Sequence, residues 1–322
     1  LLGMGRMGQI NATSLAADPR VDLHIPDPNL DLDAVPTGAT VADSVSAALD
    51  GADAVVVATP TALHAEHLRM AAALNRPLFS EKPISLDVAT SLSVLEELDQ
   101  AGCALQVGFH RRFDPGYLEM KRRHDSGGLG DLYLIRTACH DHVPPPEQYL
   151  ETSGSIFKDM HTHDFDAIRW LTGRRIESVF AQGSVLVDER FTRQGDVDTC
   201  VLTLRLEGGV LASVTGTRAD GLGYDHRTEL IGSADSVAAG HTVRTPLRPV
   251  DPGSDGPLDP YLGFSERFAP AYAAEMAAFT DLVAGHGPNR APGHAALDAL
   301  RVAEAADHSL ATGRPAEVSW VS

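Results

Sequence analysis

Three cysteines, no long apolar run and a deficit of basic side chains bound this chain before any motif is read. Cys103, Cys139 and Cys200 are scattered and odd in number. That excludes a disulfide framework and fits a reducing cytoplasm, where free cysteine behaves mostly as a small buried hydrophobe. No spacing among the three resembles a zinc site. No stretch approaches about 18 consecutive apolar residues, so no transmembrane helix and no membrane partner are expected. Lysine and arginine number 26 against 44 aspartates and glutamates, a formal charge of -18. Such a surface repels phosphate backbones and argues against nucleic acid as a partner. The sequence also lacks internal repeats, low-complexity blocks and a secretory signal. Only Leu1 and Leu2 precede the first glycine motif, so the strand that such a motif needs is expected to be trimmed at the start.

What is present is a soluble globular composition, 43% hydrophobic and 22% charged over 322 residues. That length suggests two domains. The first third alternates short apolar runs with helical stretches, as a parallel sheet wound with helices does. Asp53–Ala58 is a β-branched run that reads as a strand buried on both faces. A helix from His64 to Leu74 follows, then the strand Pro77–Ser80. A helix from Leu86 to Ala101 has Ser85 placed to cap its start and Gly102 to close it. Cys103–Val107 is one more strand. The pattern changes near Arg111–Gly116, after which longer alternating strands dominate. Thr199–Leu206 and Val210–Thr217 form a hairpin turning at Glu207–Gly209. Pro249–Pro260 reads as a loop, and helices cover Ala269–Ala284 and His294–Ala311. The expected fold class is α/β: an N-terminal doubly wound Rossmann domain over residues 1–114, and a C-terminal α+β domain with a large, mostly antiparallel open sheet over 115–322.

Gly3-Met-Gly5-Arg-Met-Gly8 fits the G-x-G-x-x-G pattern. Its glycines permit a tight turn and close backbone approach to a pyrophosphate, which then faces a helix N-terminus. Asp27 lies at the distance at which an acidic residue contacts the adenosine ribose, although Pro26-Asp-Pro-Asn29 also reads as a turn. A carboxylate there accepts from the 2′-hydroxyl and repels a 2′-phosphate, favouring NAD over NADP.

Five elements carry a resemblance to one family. They are Gly3-x-Gly5-Arg-Met-Gly8, Ala58-Thr-Pro-Thr-x-x-His64, Glu81-Lys-Pro83, Gly108-Phe-His-Arg-Arg-Phe-Asp114 and Gly154-Ser-Ile-Phe-Lys-Asp159-x-x-x-His163-Asp-x-Asp166. In this order, across most of the chain, they resemble the glucose–fructose oxidoreductase and inositol dehydrogenase family. Pro144-Pro-Pro-Glu-Gln-Tyr149 resembles its inositol 2-dehydrogenase-like branch. Asn11, His110 and Ser155 depart from residues frequent in the family. The resemblance implies that Gly3, Gly5, Arg6, Met7 and Gly8, with Asp27, Thr59, Pro60, His64, Glu81 and Lys82, contact NAD. It implies a cis peptide before Pro83. It also implies that Lys82, Asp159 and His163 are catalytic, and that Arg112, His140, Asp141 and Tyr224 line the substrate pocket. Arg112 reads equally as structural.

Phe157, Met160, Ile168 and Leu171 form an apolar stripe at helical spacing, with Asp159 and His163 one turn apart on another stripe. Alcohol oxidation needs a group that takes the hydroxyl proton as hydride leaves. Histidine suits it, its ordinary pKa of about 6.5 leaving it largely neutral at cytoplasmic pH. His163 is assigned that role, Lys82 stabilises alkoxide character, and Asp159 orients its neighbours. The expected activity is NAD-dependent oxidation of a secondary hydroxyl of an inositol-like cyclic polyol or sugar, by a cytoplasmic homodimer or homotetramer. Alternatives are an NAD-dependent glycosidase of the same fold and a non-catalytic NAD-binding regulator. No metal is expected, since His161 and His163, two apart, cannot share one helix face.

Overall fold

The computed structural model describes residues 1–27 and 30–320. It divides into two compact units, 1–113 with 270–300 and 114–269 with 301–322. The sequence reading, with a single break near 114, does not contain the return of 270–300 to the first unit. That segment is drawn back by its apolar face: Met276 and Phe279 belong to the same buried cluster as Met4, Leu15, Ile25, Val56 and Phe79. Burying a side chain of that size contributes about 1.5–3 kcal/mol.

Among its described residues the first unit holds five short strands: β1 (His24–Ile25), β2 (Thr40–Val41), β3 (Val55–Val57), β4 (Leu78–Ser80) and β5 (Leu105–Val107). β1 pairs with β2, and β3, β4 and β5 pair in order, all parallel. Leu2 bridges to Val57, with Leu2 N donating to Val56 O and Ala58 N to Leu2 O, both at 2.8 Å. The triple valine of β3 is wholly buried, as a strand covered on both faces requires. The helix over Val88–Gln100 is capped by Asp87, whose carboxylate accepts from Thr90 N at 2.6 Å. This corrects the expectation for Ser85. Both are short polar acceptors, but Asp87 is the one adjacent to the first helical turn. Gly102 closes the helix in the left-handed region (φ +69°), as expected.

The second unit carries β6 (Leu132–His140), β7 (Ile176–Ser184), β8 (Thr199–Leu206), β9 (Leu211–Thr217), β10 (Asp225–Gly232), β11 (Ser236–Ala239) and β12 (Ala316–Glu317). Their order is β11-β10-β6-β9-β8-β7-β12. Every pairing is antiparallel except β6 with β9. The alternation seen in Thr199–Thr217 translates into one buried and one open face: Cys200, Leu202, Leu204 and Leu206 point inward, while Val201, Thr203 and Arg205 are exposed.

The apolar stripe of 157–171 is also buried, but not on one continuous helix. One helix ends at Asp159 and the next runs Thr162–Thr172. His161 N donates to Ile156 O, five residues back, at 3.1 Å, which widens the turn between them. Asp159 and His163 therefore flank a break rather than sharing a regular helical stripe.

Candidate active site

In the first unit, the glycine loop is built by close packing. Gly3 has φ +92°, and a Cβ there would lie 2.8 Å from Ala58 O. A Cβ on Gly8 would lie 2.1 Å from Gly3 O. Gly5 is different: it is exposed, and nothing lies within 4 Å of where its Cβ would be. Gly5 caps the helix Arg6–Ala16, whose first residues are Arg6 and Met7. Two glycines are thus needed for the turn itself, while the third keeps open the space in front of a helix N-terminus, as a pyrophosphate requires. Asp27 accepts from Met4 N at 2.7 Å, which sets its carboxylate against this loop at the end of β1. These residues fit a dinucleotide.

Strand ends supply the next groups. Thr59 follows β3, and its Oγ1 is 3.1 Å from His67 Nδ1; Pro60 caps the helix Thr61–Ala72. His64 is buried, with Nδ1 2.7 Å from Pro83 O and Nε2 2.7 Å from Thr59 O. It thereby ties the turn after β3 to the turn after β4. Burial pushes its pKa down, while the two carbonyls favour its protonated form. Glu81 and Lys82 follow β4, and the Lys82–Pro83 peptide is cis. Glu81 is buried, and Asn11 Nδ2 donates to its Oε1 at 2.9 Å. Burial raises the Glu81 pKa against the opposing effects of Asn11 and Lys82. A Cβ on Gly108 would lie 2.6 Å from Glu81 Oε2, so the chain after β5 packs directly on this carboxylate. Lys82 is half-buried at the carboxyl end of a parallel strand, where open α/β sheets bind ligands. Arg112 is turned to another task. Its guanidinium donates to Arg290 O at 3.0 Å and lies 5.8 Å from the Phe109 ring centroid.

In the second unit, Asp159 is buried at the end of its short helix. Tyr149 donates its hydroxyl to Asp159 Oδ1 at 2.7 Å, and Arg218 meets Oδ2 at 2.9 Å. Arg218, only 3% exposed, also reaches Asp141 Oδ2 at 3.3 Å. Burial on its own would weaken the Arg218 charge, but Asp159 and then Asp141 hold its pKa above the usual arginine value. The structure thus brings Asp141 and Asp159 together through a residue that the sequence reading missed. Its only signal was a lone arginine after an alternating strand, a position where such residues usually face water. His163, half-buried, lies in the first turn of the helix Thr162–Thr172. His140, at the end of β6, sits 3.4 Å from Asp220 Oδ2 and 3.3 Å from Thr215 Oγ1. Tyr224 is buried, stacked on His226 with ring centroids 4.3 Å apart.

Chemically, the first unit offers a glycine loop, a carboxylate set against that loop and a lysine at a strand end. The second offers an imidazole in the first turn of a helix and a carboxylate held by tyrosine and arginine. Residues 1–109 match the family model described as "Oxidoreductase family, NAD-binding Rossmann fold", and residues 117–238 match the "GFO/IDH/MocA C-terminal domain". An inositol 2-dehydrogenase of Rhizobium meliloti is 33% identical over 334 aligned residues, 99% of this chain and 98% of that protein. Among solved structures, a myo-inositol dehydrogenase from Corynebacterium glutamicum superposes with a TM-score of 0.88 at 30% identity, covering 99% of this chain and 98% of that one. A scyllo-inositol dehydrogenase from Lactobacillus casei, with bound NAD(H) and scyllo-inositol, gives 0.86 at 27% identity, covering 98% and 97%.

Proposed function

The chain belongs to the GFO/IDH/MocA oxidoreductase family, and from that premise we propose that it oxidises a secondary hydroxyl of an inositol-like cyclic polyol to a ketone with NAD. The observation that carries this reading is that one chain holds both a glycine cradle left open at Gly5, in the first unit, and a carboxylate tethered by tyrosine and arginine, in the second. Relatives named for inositol oxidation, one of them crystallised with NAD(H) and an inositol, support the substrate class.

Gly3, Gly5 and Gly8 would hold the pyrophosphate on backbone amides, and Asp27 the adenosine ribose. NAD, when bound, supplies the hydride acceptor. His163 takes the proton of the reacting hydroxyl, which must leave as the carbon is oxidised. Lys82 donates to the same oxygen and stabilises its developing negative charge. Asp159 positions this chemistry, itself fixed by Tyr149 and Arg218. Asp141 and His140, in the same unit as Asp159, receive the other ring hydroxyls. A site with several polar groups discriminates strongly against analogues lacking a hydroxyl, since their absence leaves buried donors unmet. The first unit binds the cofactor, the second binds the polyol and mediates assembly into a dimer or tetramer, and the enzyme works in the cytoplasm.

The test is NADH formation from NAD against a panel of inositols, hexoses and amino-sugars at neutral and alkaline pH. Robust NADH release with at least one inositol is expected. Sugar cleavage without NADH release would replace this reading with that of a glycosidase.

A further inference from the structure

The helix-covered face of the second unit's sheet holds a cluster that the proposed reaction does not use. Four adjacent strands set His226, Cys139, Gly216 and Cys200 in one row: His226 opposite Cys139, Cys139 opposite Gly216, and Gly216 opposite Cys200. Residues in such register project to one face, and here that face is the interior. Cys139 is fully buried, and Cys200 is 2% exposed. At the centre, Gly216 contributes no side chain, and a Cβ there would lie 2.2 Å from His161 Nε2. The space is filled by the His161 imidazole, delivered by the widened turn after Asp159. Its Nδ1 lies 2.8 Å from Asp164 Oδ2 and its Nε2 lies 3.1 Å from Cys200 Sγ. Cys139 Sγ lies 3.1 Å from His226 Nε2. His161 and Asp164 are wholly buried. One ligand atom each from Cys139, His161 and Asp164 lie within 4.8 Å of one another.

We propose that Cys139, His161 and Asp164 hold a divalent transition metal ion of the zinc class between helix and sheet. Thiolate sulfur, imidazole nitrogen and carboxylate oxygen are the donors that zinc takes in tetrahedral sites, at about 2.0–2.3 Å. Bonds of that length bring ligand atoms about 3.3–3.8 Å apart, so the three side chains need to close by about 1 Å or so. The fourth position falls to His226, whose Nε2 already lies against Cys139 Sγ, since Cys200 meets His161 at the ring nitrogen opposite the one that faces Asp164. With four protein ligands the site is closed, hence structural. Binding replaces the thiol proton, which leaves to solvent, and balances the charge of a carboxylate and a thiolate inside the core. The ion would pin the helix that carries His163 to the sheet. The ligands come from a strand and a widened helical turn, so no short cysteine–histidine spacing announces them.

The test uses the whole chain, stripped with a chelator under reducing conditions and titrated with Co²⁺ alone. About one ion per chain is expected, with thiolate-to-cobalt charge-transfer absorption and the visible bands of a tetrahedral ion, both displaced by Zn²⁺. Cys139→Ser should weaken binding by more than the roughly 10–100-fold that loss of an outer partner costs. Should that variant fail to fold, the unaltered chain decides: its thermal unfolding must rise with added Zn²⁺. A folded, reduced chain that gives no charge-transfer band overturns the site, as does a Co²⁺ spectrum unchanged in Cys139→Ser.

Discussion

Four side chains carry the residue-scale account. Lys82→Ala and His163→Ala are each expected to reduce turnover by about 100-fold or more, the scale of losing an acid–base group, with NAD affinity retained. Near-normal turnover in either variant removes that residue from the mechanism. Asp27 is expected to give NAD a clear advantage in kcat/KM, and Asp27→Ala to shift the ratio toward NADP. Equal efficiency with both cofactors in the unaltered protein contradicts its role. Arg218, buried between Asp141 and Asp159, is expected to be a positioning residue. Arg218→Met leaves two carboxylates facing each other and should cost about 3–5 kcal/mol in denaturant unfolding. Arg218→Lys keeps the charge but loses the fork, so it should fold better than the Met variant while still lowering kcat. The position of Lys82 at a strand end was legible because an apolar run stands directly before it. Arg218 was not, because its partners are 59 and 77 positions away in sequence and no local pattern links them.

At the scale of elements, the glycine loop separates folding from binding. Gly5→Ala adds a methyl to open space at an ordinary backbone conformation (φ -64°). The variant should keep its unfolding temperature, yet lose about tenfold or more in NAD affinity, roughly 1.4 kcal/mol. Gly8→Ala drives a Cβ into Gly3 O and should destabilise the first unit outright. A second element-scale device is the loop before Asp198. Its carboxylate accepts from Leu186, Val187 and Asp188 N–H at 2.7–3.1 Å. Burial raises its pKa, but those three amides, with Thr199, outweigh burial and leave it below the usual carboxylate value. The folded form therefore favours the anion. The stability this contributes is present above the unfolded pKa of about 3.9 and is lost as pH falls through the lower folded value. Asp198→Asn should cost about 1.5–3 kcal/mol at pH 7, and the difference should shrink in acid. A difference that grew in acid would contradict the assignment. The long strands and the closing Gly102 were readable because their signals are local: period-two burial, and a glycine where φ must be positive. The break at His161 was not, since the turn widens to seat an imidazole over Gly216, a tertiary cause without a helical signature. Asp87 rather than Ser85 as a cap is the same lesson on a smaller scale, two acceptors within two residues of each other.

For the molecule as a whole, two compact units account for the described residues, and 270–300 joins the first because its apolar face matches the core around Phe79. Sequence periodicity announces that helix but not its destination, which depends on contacts some 200 residues away. The open face of the second unit's sheet exposes Val201 and Leu211. Light scattering is expected to report a dimer or tetramer, and Val201→Asp with Leu211→Asp to shift it toward monomer; an unaltered chain that is monomeric at working concentration contradicts that assembly. The central claim is that this chain moves a hydride from a ring carbon of a polyol to NAD. Mass spectrometry of the cofactor after turnover of an inositol deuterated at its ring carbons tests it most directly. The account requires NADH carrying one deuterium per turnover; unlabelled NADH, or ring chemistry with no reduced cofactor, would contradict it.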